Sequence, residues 1–246
     1  MIQRHEPLFN VPQVVVVLLG LLFAIHAIRW FLPEDLDTAM VLSMAFIPSR
    51  YAGDAALLPG GTTALFTSPF TYQLLHGNLT HIMFNGLWLL AFGGIIAMRV
   101  GATRFLAFSA FTGVVAALAF LTFNWGGRLP VIGASGAVAG LMGGAMRFLF
   151  SAIDLGGIGL LREAPQRVPL MPLSVALKDR RVLVATGILI AINLLAFVGV
   201  GTAGVSAGAI AWESHIGGYL AGLLTFGLFD RPAPKRPDLR VVPTIH

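Results

Sequence analysis

The sequence contains no cysteine, so disulfide bonds and thiolate chemistry are excluded. Charge is also scarce: Asp, Glu, Lys and Arg make up 11% of the 246 residues, whereas soluble globular domains carry about 25%. Hydrophobic residues fill 57% of the positions. The formal net charge is +5, but no stretch is both basic and aromatic enough to indicate nucleic-acid binding. This balance predicts an integral membrane protein.

Six apolar segments approach the ~20 residues that a helix needs to cross a bilayer. They are Val11–Phe31, Thr80–Met98, Phe105–Phe123, Val131–Phe150, Val182–Val200 and Ala207–Phe229. The predicted fold class is therefore an all-α bundle of six spans, forming one domain over residues 1–230 with a short tail over residues 231–246. The first segment is interpreted as a retained anchor rather than a cleaved signal, because its apolar run continues past Ile25.

The distribution of Lys and Arg predicts the orientation. If the N-terminus is cytoplasmic, thirteen of the sixteen basic residues fall on the cytoplasmic side, and only Arg29, Arg50 and Arg128 fall outside. Basic residues concentrate on the cytoplasmic side of membrane proteins, so both termini are expected there. The long outer connection, from Leu32 to about Leu79, is expected to lie in the membrane interface. The long inner connection, Ser151–Arg181, is expected to be a partly ordered loop.

Polar side chains inside spans are costly, and each ionisable one is a functional hypothesis. The spans hold His26, His81, Asn85, Ser135, Asn193 and His215, with Glu213 near an outer helix end. Given the ~1.5 Å rise per helical residue, four of these side chains are expected at one level in the outer half of the membrane: His81, Asn85, Ser135 and His215. Ser135 would lie about one turn inside the fourth span and His215 about two turns inside the sixth. A lone serine in such a helix more often serves packing than catalysis. The glycines around Ser135 bear on which of the two roles it has.

Small-xxx-small stripes accompany both residues and let helix backbones approach closely. Gly136 and Gly140 form one stripe, and Gly218 and Gly222 form the other. If the stripes face each other, the Ser135 hydroxyl comes within hydrogen-bond reach of an imidazole, the base that a serine nucleophile needs. The backbone N–H of Ser135 begins a helix and lacks an internal partner, so it can face an oxyanion. The two polar side chains of the second span, on one helix face, are candidates for further donors.

Three motifs lie on the second, fourth and sixth predicted spans. They are His76-Gly77-Asn78-Leu79-Thr80-His81-Ile82-Met83-Phe84-Asn85 (H-x4-H-x3-N), Gly133-Ala134-Ser135-Gly136 (G-x-S-G) and Ser214-His215-Ile216-Gly217-Gly218 (small-H-x-x-G). In this order and on these spans they resemble the rhomboid intramembrane serine proteases. The outer segment Phe46-Ile47-Pro48-Ser49-Arg50 also looks like one that many bacterial members carry.

The resemblance implies a serine endopeptidase that cuts single-span membrane proteins within or beside their transmembrane segment. It makes Ser135 the nucleophile and His215 the general base, and it assigns the oxyanion hole to His81, Asn85 and the Ser135 backbone. His76 would support the site, as would the glycines Gly133, Gly136, Gly140, Gly218 and Gly222. It implies no cofactor or metal, transmembrane substrates in a lipid bilayer, and a bacterial inner membrane with the site opening outward. The oligomeric state stays open.

Two positions depart from the family pattern. Many members have an aromatic ring four residues after the serine, stacked on the histidine, and here that residue is Ala139. A Trp-Arg pair that some members carry falls at about Thr67-Ser68 and is missing. Glu213 lies two residues before the histidine and is expected to point away from it. His26 is interpreted as structural or incidental.

Two alternatives remain. The first is a rhomboid-like protein that binds membrane proteins and cleaves them weakly or not at all. The second is a membrane cytochrome that uses His26, His76, His81 and His215 as haem ligands, although the five-residue spacing of His76 and His81 is not one helical turn. A metal site is disfavoured because the only carboxylate near these residues, Glu213, is expected to point away.

Overall fold

The computed structural model describes residues 11–197 and 211–230, whose regular structure is helical. The helices are α1 Gln13–Trp30, α2 Glu34–Met44, α3 Ala64–Thr71, α4 Leu79–Trp88, α5 Gly94–Val100, α6 Ala102–Phe123, α7 Ser135–Glu163, α8 Leu173–Ala176, α9 Arg180–Phe197 and α10 Trp212–Phe229. A π-helical turn, Leu89–Gly93, joins α4 to α5, so that the two form one continuous 22-residue segment.

Four described helical segments are long and apolar enough to cross a membrane: Gln13–Trp30, Leu79–Val100, Ala102–Phe123 and Ser135–Glu163. They correspond to the first four predicted spans. The fifth and sixth predicted spans correspond to α9 and α10, which are both helical, but residues 198–200 and 207–210 of those spans lie outside the described residues. The count of six spans therefore stays a prediction. The predicted tail, residues 231–246, also lies outside the described part of the chain.

Helix α7 lies at the centre of the bundle and packs against α6 and α10. A methyl group added at Gly140 of α7 would overlap the side chain of Thr112 on α6, and one at Gly144 would lie 2.9 Å from Phe108. Phe108 also stacks edge-on against Phe226 of α10, with ring centroids 5.2 Å apart. Small residues on α7 thus bring both neighbours close, which is how helices associate in lipid without a hydrophobic driving force between them.

The outer segment between α1 and α4 is folded against the bundle. Phe46 and Val131 form a two-way backbone bridge, with N–H to carbonyl distances of 3.0 and 2.9 Å. The guanidinium of Arg50 is buried and donates to the carbonyl oxygens of Leu42 and Pro59. The outer segment therefore contacts the stretch that leads directly into α7.

A salt bridge ties α2 of the outer segment to α1. Arg29 donates to both carboxylate oxygens of Asp37, at 2.7 and 3.1 Å. The hydrogen bond from this guanidinium holds the pKa of Asp37 below its usual range. Arg29 also donates to the backbone oxygen of His76 at 2.8 Å, so one side chain links α1, α2 and the segment just before α4.

At the opposite end of the bundle, two buried arginines connect different segments by hydrogen bonds. Arg99 of α5 forms two 2.8 Å hydrogen bonds to the carboxylate of Asp230, directly after α10. Arg147 of α7 donates to the carbonyl oxygens of Met171 and Leu223. Burial of a guanidinium requires that its donors be paired, and these carbonyl and carboxylate oxygens pair them.

Three predicted positions need correction. Ser135 is the first residue of α7 rather than a residue one turn inside it, because Gly133 has φ 126° and Val131 pairs with Phe46, so residues 131–134 are not helical. The histidine of the sixth span lies one turn inside α10, since that helix begins at Trp212. Helix α7 also continues to Glu163, so the first part of the predicted inner loop is helical, with a break at Gly157.

Candidate active site

A serine and a histidine meet at the ends of two neighbouring helices. The Nε2 atom of His215 lies 2.7 Å from the Oγ atom of Ser135. Ser135 begins α7 and His215 is the fourth residue of α10, so both are in first turns. The hydrogen-bond contact expected from the sequence is present.

The glycine stripes bring these helices together. A methyl group added at Gly218 would overlap the carbonyl oxygen of Gly136, and one at Gly222 would overlap that of Gly140. The predicted facing of the two stripes is therefore confirmed. The contact continues to Gly143, where a methyl group would overlap the carbonyl oxygen of Tyr219, a continuation that the sequence reasoning missed.

The other nitrogen of the imidazole contacts an asparagine from α9. The Nδ1 atom of His215 lies 2.6 Å from Oδ1 of Asn193, which is 6% exposed. The sequence marked Asn193 as one of the few polar residues in a span but assigned it no partner. Its rarity in an apolar helix was the available signal.

Neither Glu213 nor residue 139 supplies the histidine with an orienting group. Glu213 accepts a hydrogen bond from the side chain of Asn124 at 3.0 Å, in keeping with the expectation that it points away. Ala139 is buried in an apolar cluster with Val182 and Tyr219 and has no ring to stack. His26 has no hydrogen-bond partner at either ring nitrogen within the described residues.

His81 and Ser135 lie on the same side of Gly133. If Gly133 carried a Cβ atom, that atom would be 2.8 Å from Nε2 of His81 and 3.7 Å from Oγ of Ser135. Any larger residue at Gly133 would therefore collide with the imidazole, besides straining at φ 126°. Asn85 is one turn further along α4, is 5% exposed, and donates to the backbone oxygen of His81 at 3.0 Å. That contact uses one of the two N–H bonds of the side-chain amide.

His76 lies behind His81. Its ring meets the His81 ring edge-on with centroids 5.0 Å apart, and its Nε2 atom accepts from the backbone N–H of Ala134 at 3.5 Å. Asn78 caps α4, accepting from the N–H of His81 at 2.8 Å. These contacts hold the start of α4 against the residue before Ser135, which fits a supporting position for His76.

The N–H group of Ser135 is at the first position of α7 and has no acceptor within that helix. The preceding amides are engaged: Gly133 donates to the carbonyl oxygen of Tyr72 at 2.9 Å, and the next residue donates to His76. A donor thus stands beside the Oγ atom of the same residue. Across the described part of the chain, no group of three or more His, Asp or Glu residues is arranged to hold a metal ion.

The fold and the site define a class: a helical integral membrane protein with a serine–histidine pair between two packed helices, α7 and α10. The model of the Rhomboid domain matches residues 64–231, which is more than half of the chain. The chain therefore belongs to the rhomboid family, whose members include intramembrane proteases and pseudoproteases, and the resemblance seen in the sequence is confirmed. No curated protein matched the chain in a sequence search.

Proposed function

We propose that the protein is an intramembrane serine endopeptidase that cleaves transmembrane segments of single-span membrane proteins. The observation that carries this proposal is the 2.7 Å contact between Nε2 of His215 and Oγ of Ser135. A serine hydroxyl becomes a nucleophile when an adjacent base takes its proton, and this pair has that geometry.

The reaction follows from the positions of these atoms. Oγ of Ser135 attacks the scissile carbonyl carbon while Nε2 of His215 takes the hydroxyl proton. The resulting imidazolium then protonates the leaving amine, and the carbon–nitrogen bond breaks to leave an acyl-enzyme. A water molecule, deprotonated by the same imidazole, attacks the ester and releases the new carboxylate and the free serine.

The tetrahedral intermediates carry a negative oxygen that needs donors. The backbone N–H of Ser135, the imidazole of His81 and the amide of Asn85 are assigned to it. His81 is supported by its position beside Gly133 on the side of Ser135, and the backbone N–H by its place at the start of α7. Donors fixed before the reaction avoid reorganisation when the charge develops.

The proposed setting is a six-span bundle in a bacterial inner membrane, with both termini cytoplasmic. The outer segment of residues 32–79 then lies on the outer face, and the serine opens toward that side. Substrates reach the site from the lipid bilayer, and the chemistry needs no cofactor, metal or nucleic acid. The asymmetric distribution of Lys and Arg supports this orientation.

The test is cleavage of a model transmembrane substrate by purified protein in detergent. The unmodified protein is expected to cleave, and Ser135→Ala and His215→Ala are each expected to abolish cleavage. Ser43→Ala is the matched control, because Ser43 is a half-buried residue of the outer segment whose hydroxyl donates to Ala39 of its own helix. This control should cleave at the full rate.

Two results would count against the protease. Undiminished cleavage by the Ser135→Ala protein would remove the proposed nucleophile. Binding of the substrate without cleavage by the unmodified protein would assign the chain to the non-cleaving members of the family instead.

A further inference from the structure

The imidazole of His215 is held from both sides by side chains of different helices. Its Nε2 atom contacts Ser135 of α7, and its Nδ1 atom lies 2.6 Å from Oδ1 of Asn193 on α9. The amide is 6% exposed, so water does not compete freely for this contact. The second contact decides which nitrogen carries the proton.

The orientation of the amide follows from its other hydrogen bond. Nδ2 of Asn193 donates to the backbone oxygen of Leu189 at 2.9 Å. A carbonyl oxygen can only accept, so the amide nitrogen must face Leu189 and the amide oxygen must face the imidazole. The amide oxygen also only accepts, so Nδ1 of His215 must carry the hydrogen. A neutral imidazole has one N–H, and Nε2 is therefore left as the acceptor that faces the serine hydroxyl.

We propose that Asn193 is the positioning residue of the site, setting the tautomer and the ring orientation of His215 from α9. Its effect on catalysis rests on the proposed protease function. Within residues 11–197 and 211–230, no other side chain bonds Nδ1 of His215: Glu213 bonds Asn124, and residue 139 is alanine. When Nε2 takes the serine proton, the Nδ1–H group keeps donating to the neutral amide oxygen, so the ring stays in place in both protonation states.

Loss of the amide leaves the imidazole free to place its hydrogen on Nε2, where it cannot accept the serine proton. It also frees the ring to rotate about its side-chain bonds. Asn193 is 6% exposed and faces the imidazole, so we expect no contact with the substrate and a loss in kcat rather than in KM. A neutral hydrogen bond that orients a catalytic group corresponds to a loss in kcat of about tenfold.

The experiment compares Asn193→Leu with Thr186→Val. Leucine keeps the size of the side chain and removes its oxygen. Thr186→Val is the matched control, because it removes another hydrogen bond between α9 and α10, the 2.7 Å contact of Thr186 with the Tyr219 hydroxyl, without touching the imidazole. Thermal unfolding in detergent first establishes that both variants are folded. Cleavage kinetics and the nitrogen NMR spectrum of histidine-labelled protein are then measured, with the His215 signals assigned from a His215→Gln sample.

The expected result is a kcat about tenfold lower for Asn193→Leu with an unchanged KM. The NMR spectrum should show Nδ1–H in the unmodified protein and Nε2–H or a mixture in the variant. Thr186→Val should match the unmodified protein in both readouts. Asn193→Asp, which retains an acceptor for Nδ1–H, should cleave faster than Asn193→Leu.

An unchanged tautomer in Asn193→Leu would overturn the proposal, as would an unchanged kcat in a protein that cleaves. Equal losses in Asn193→Leu and Thr186→Val would also overturn it, because they would show a general effect of α9 packing. The NMR measurement does not require cleavage. An inactive unmodified protein would therefore refute the protease function, while the spectrum would still decide whether Asn193 sets the imidazole.

Discussion

Individual side chains around Ser135 determine how well the site can stabilise a negative oxygen. Among the proposed oxyanion donors, Asn85 is one whose side chain is held by a single hydrogen bond within α4, so its removal is expected to change the backbone little. The residue is 5% exposed and lies one turn from His81, so truncation leaves the packing of the imidazole against Gly133 in place.

If Asn85 is an oxyanion donor as proposed, Asn85→Ala is expected to slow cleavage by ~10²–10³ without unfolding the protein, because one rigid donor is then lost. The measurement is kcat on a transmembrane substrate, paired with a thermal unfolding curve in the same detergent. Met83→Ala, on an exposed position of the same helix, is the control and should retain the full rate. A full rate in Asn85→Ala would remove this residue from the oxyanion hole.

The sequence predicted the contact of Ser135 with His215 because each residue has glycines beside it that dictate a close helix approach. It did not predict the contact with Asn193. That contact depends on how α9 is rotated about its own axis, and α9 carries no glycine stripe against α10 to reveal the rotation. An asparagine in an apolar helix signals that some partner exists, but the partner is defined only by the packed bundle.

At the scale of helices, the pairing of α7 with α10 is backbone against backbone. Helices that meet in this way gain dispersion contacts along their whole length, and the gain depends on the absence of side chains at the contact. Gly218 and Gly227 of α10 differ in this respect. A methyl group at Gly218 would overlap a carbonyl oxygen, whereas one at Gly227 would have its nearest neighbour at an ordinary 3.7 Å.

Gly218→Ala is therefore expected to destabilise the protein by at least the ~1–3 kcal/mol typical of overpacking, and to reduce cleavage by moving His215 away from Ser135. Gly227→Ala should be neutral or slightly stabilising, because alanine favours a helix over glycine by roughly 1 kcal/mol. Thermal unfolding of both variants in one detergent provides the comparison. A Gly218→Ala protein that unfolds no earlier than Gly227→Ala would contradict the close contact.

Element boundaries were the least predictable part of the fold. Val131 and Ile132 are as apolar as the helix that follows, so composition extended the fourth span over them. Their conformation is instead decided by the distant Phe46, which pairs with Val131, and by the positive φ of Gly133. Backbone pairing with a residue so distant in the chain leaves no periodic pattern in the sequence around Val131.

At the scale of the whole molecule, the distribution of basic residues predicts the orientation in the membrane. The chain has no cysteine, so a single introduced thiol can be labelled without background. Leu57 is 81% exposed in the outer segment, and Gln166 is exposed in the turn Pro165–Arg167 near the buried guanidinium of Arg99.

In intact cells, a membrane-impermeant maleimide is expected to label Leu57→Cys and to leave Gln166→Cys unlabelled until the membrane is permeabilised. The physical reason is the concentration of Lys and Arg on the side that holds the turn. Labelling of Gln166→Cys in intact cells, with Leu57→Cys protected, would reverse the orientation and place the serine toward the cytoplasm.

The all-helical fold and its four long apolar helices were predictable because span length and apolar composition reflect the thickness of the bilayer and not the details of packing. The folded state of the outer segment was not. Its apolar patches are short, and its internal fold uses the buried Arg50, whose backbone acceptors at Leu42 and Pro59 lie on either side of it in the chain. Its attachment to the bundle includes the pairing of Phe46 with the distant Val131.

The close backbone contact between α7 and α10 also restricts the motion of the two helices relative to each other. Two helices whose backbones touch at Gly136 with Gly218 and at Gly140 with Gly222 cannot slide or rotate past each other without separating. Ser135 and His215 consequently travel as parts of one rigid body. For the proposed protease, we therefore expect any widening that admits a substrate helix to come from displacement of the elements around this pair, with the distance between hydroxyl and imidazole retained.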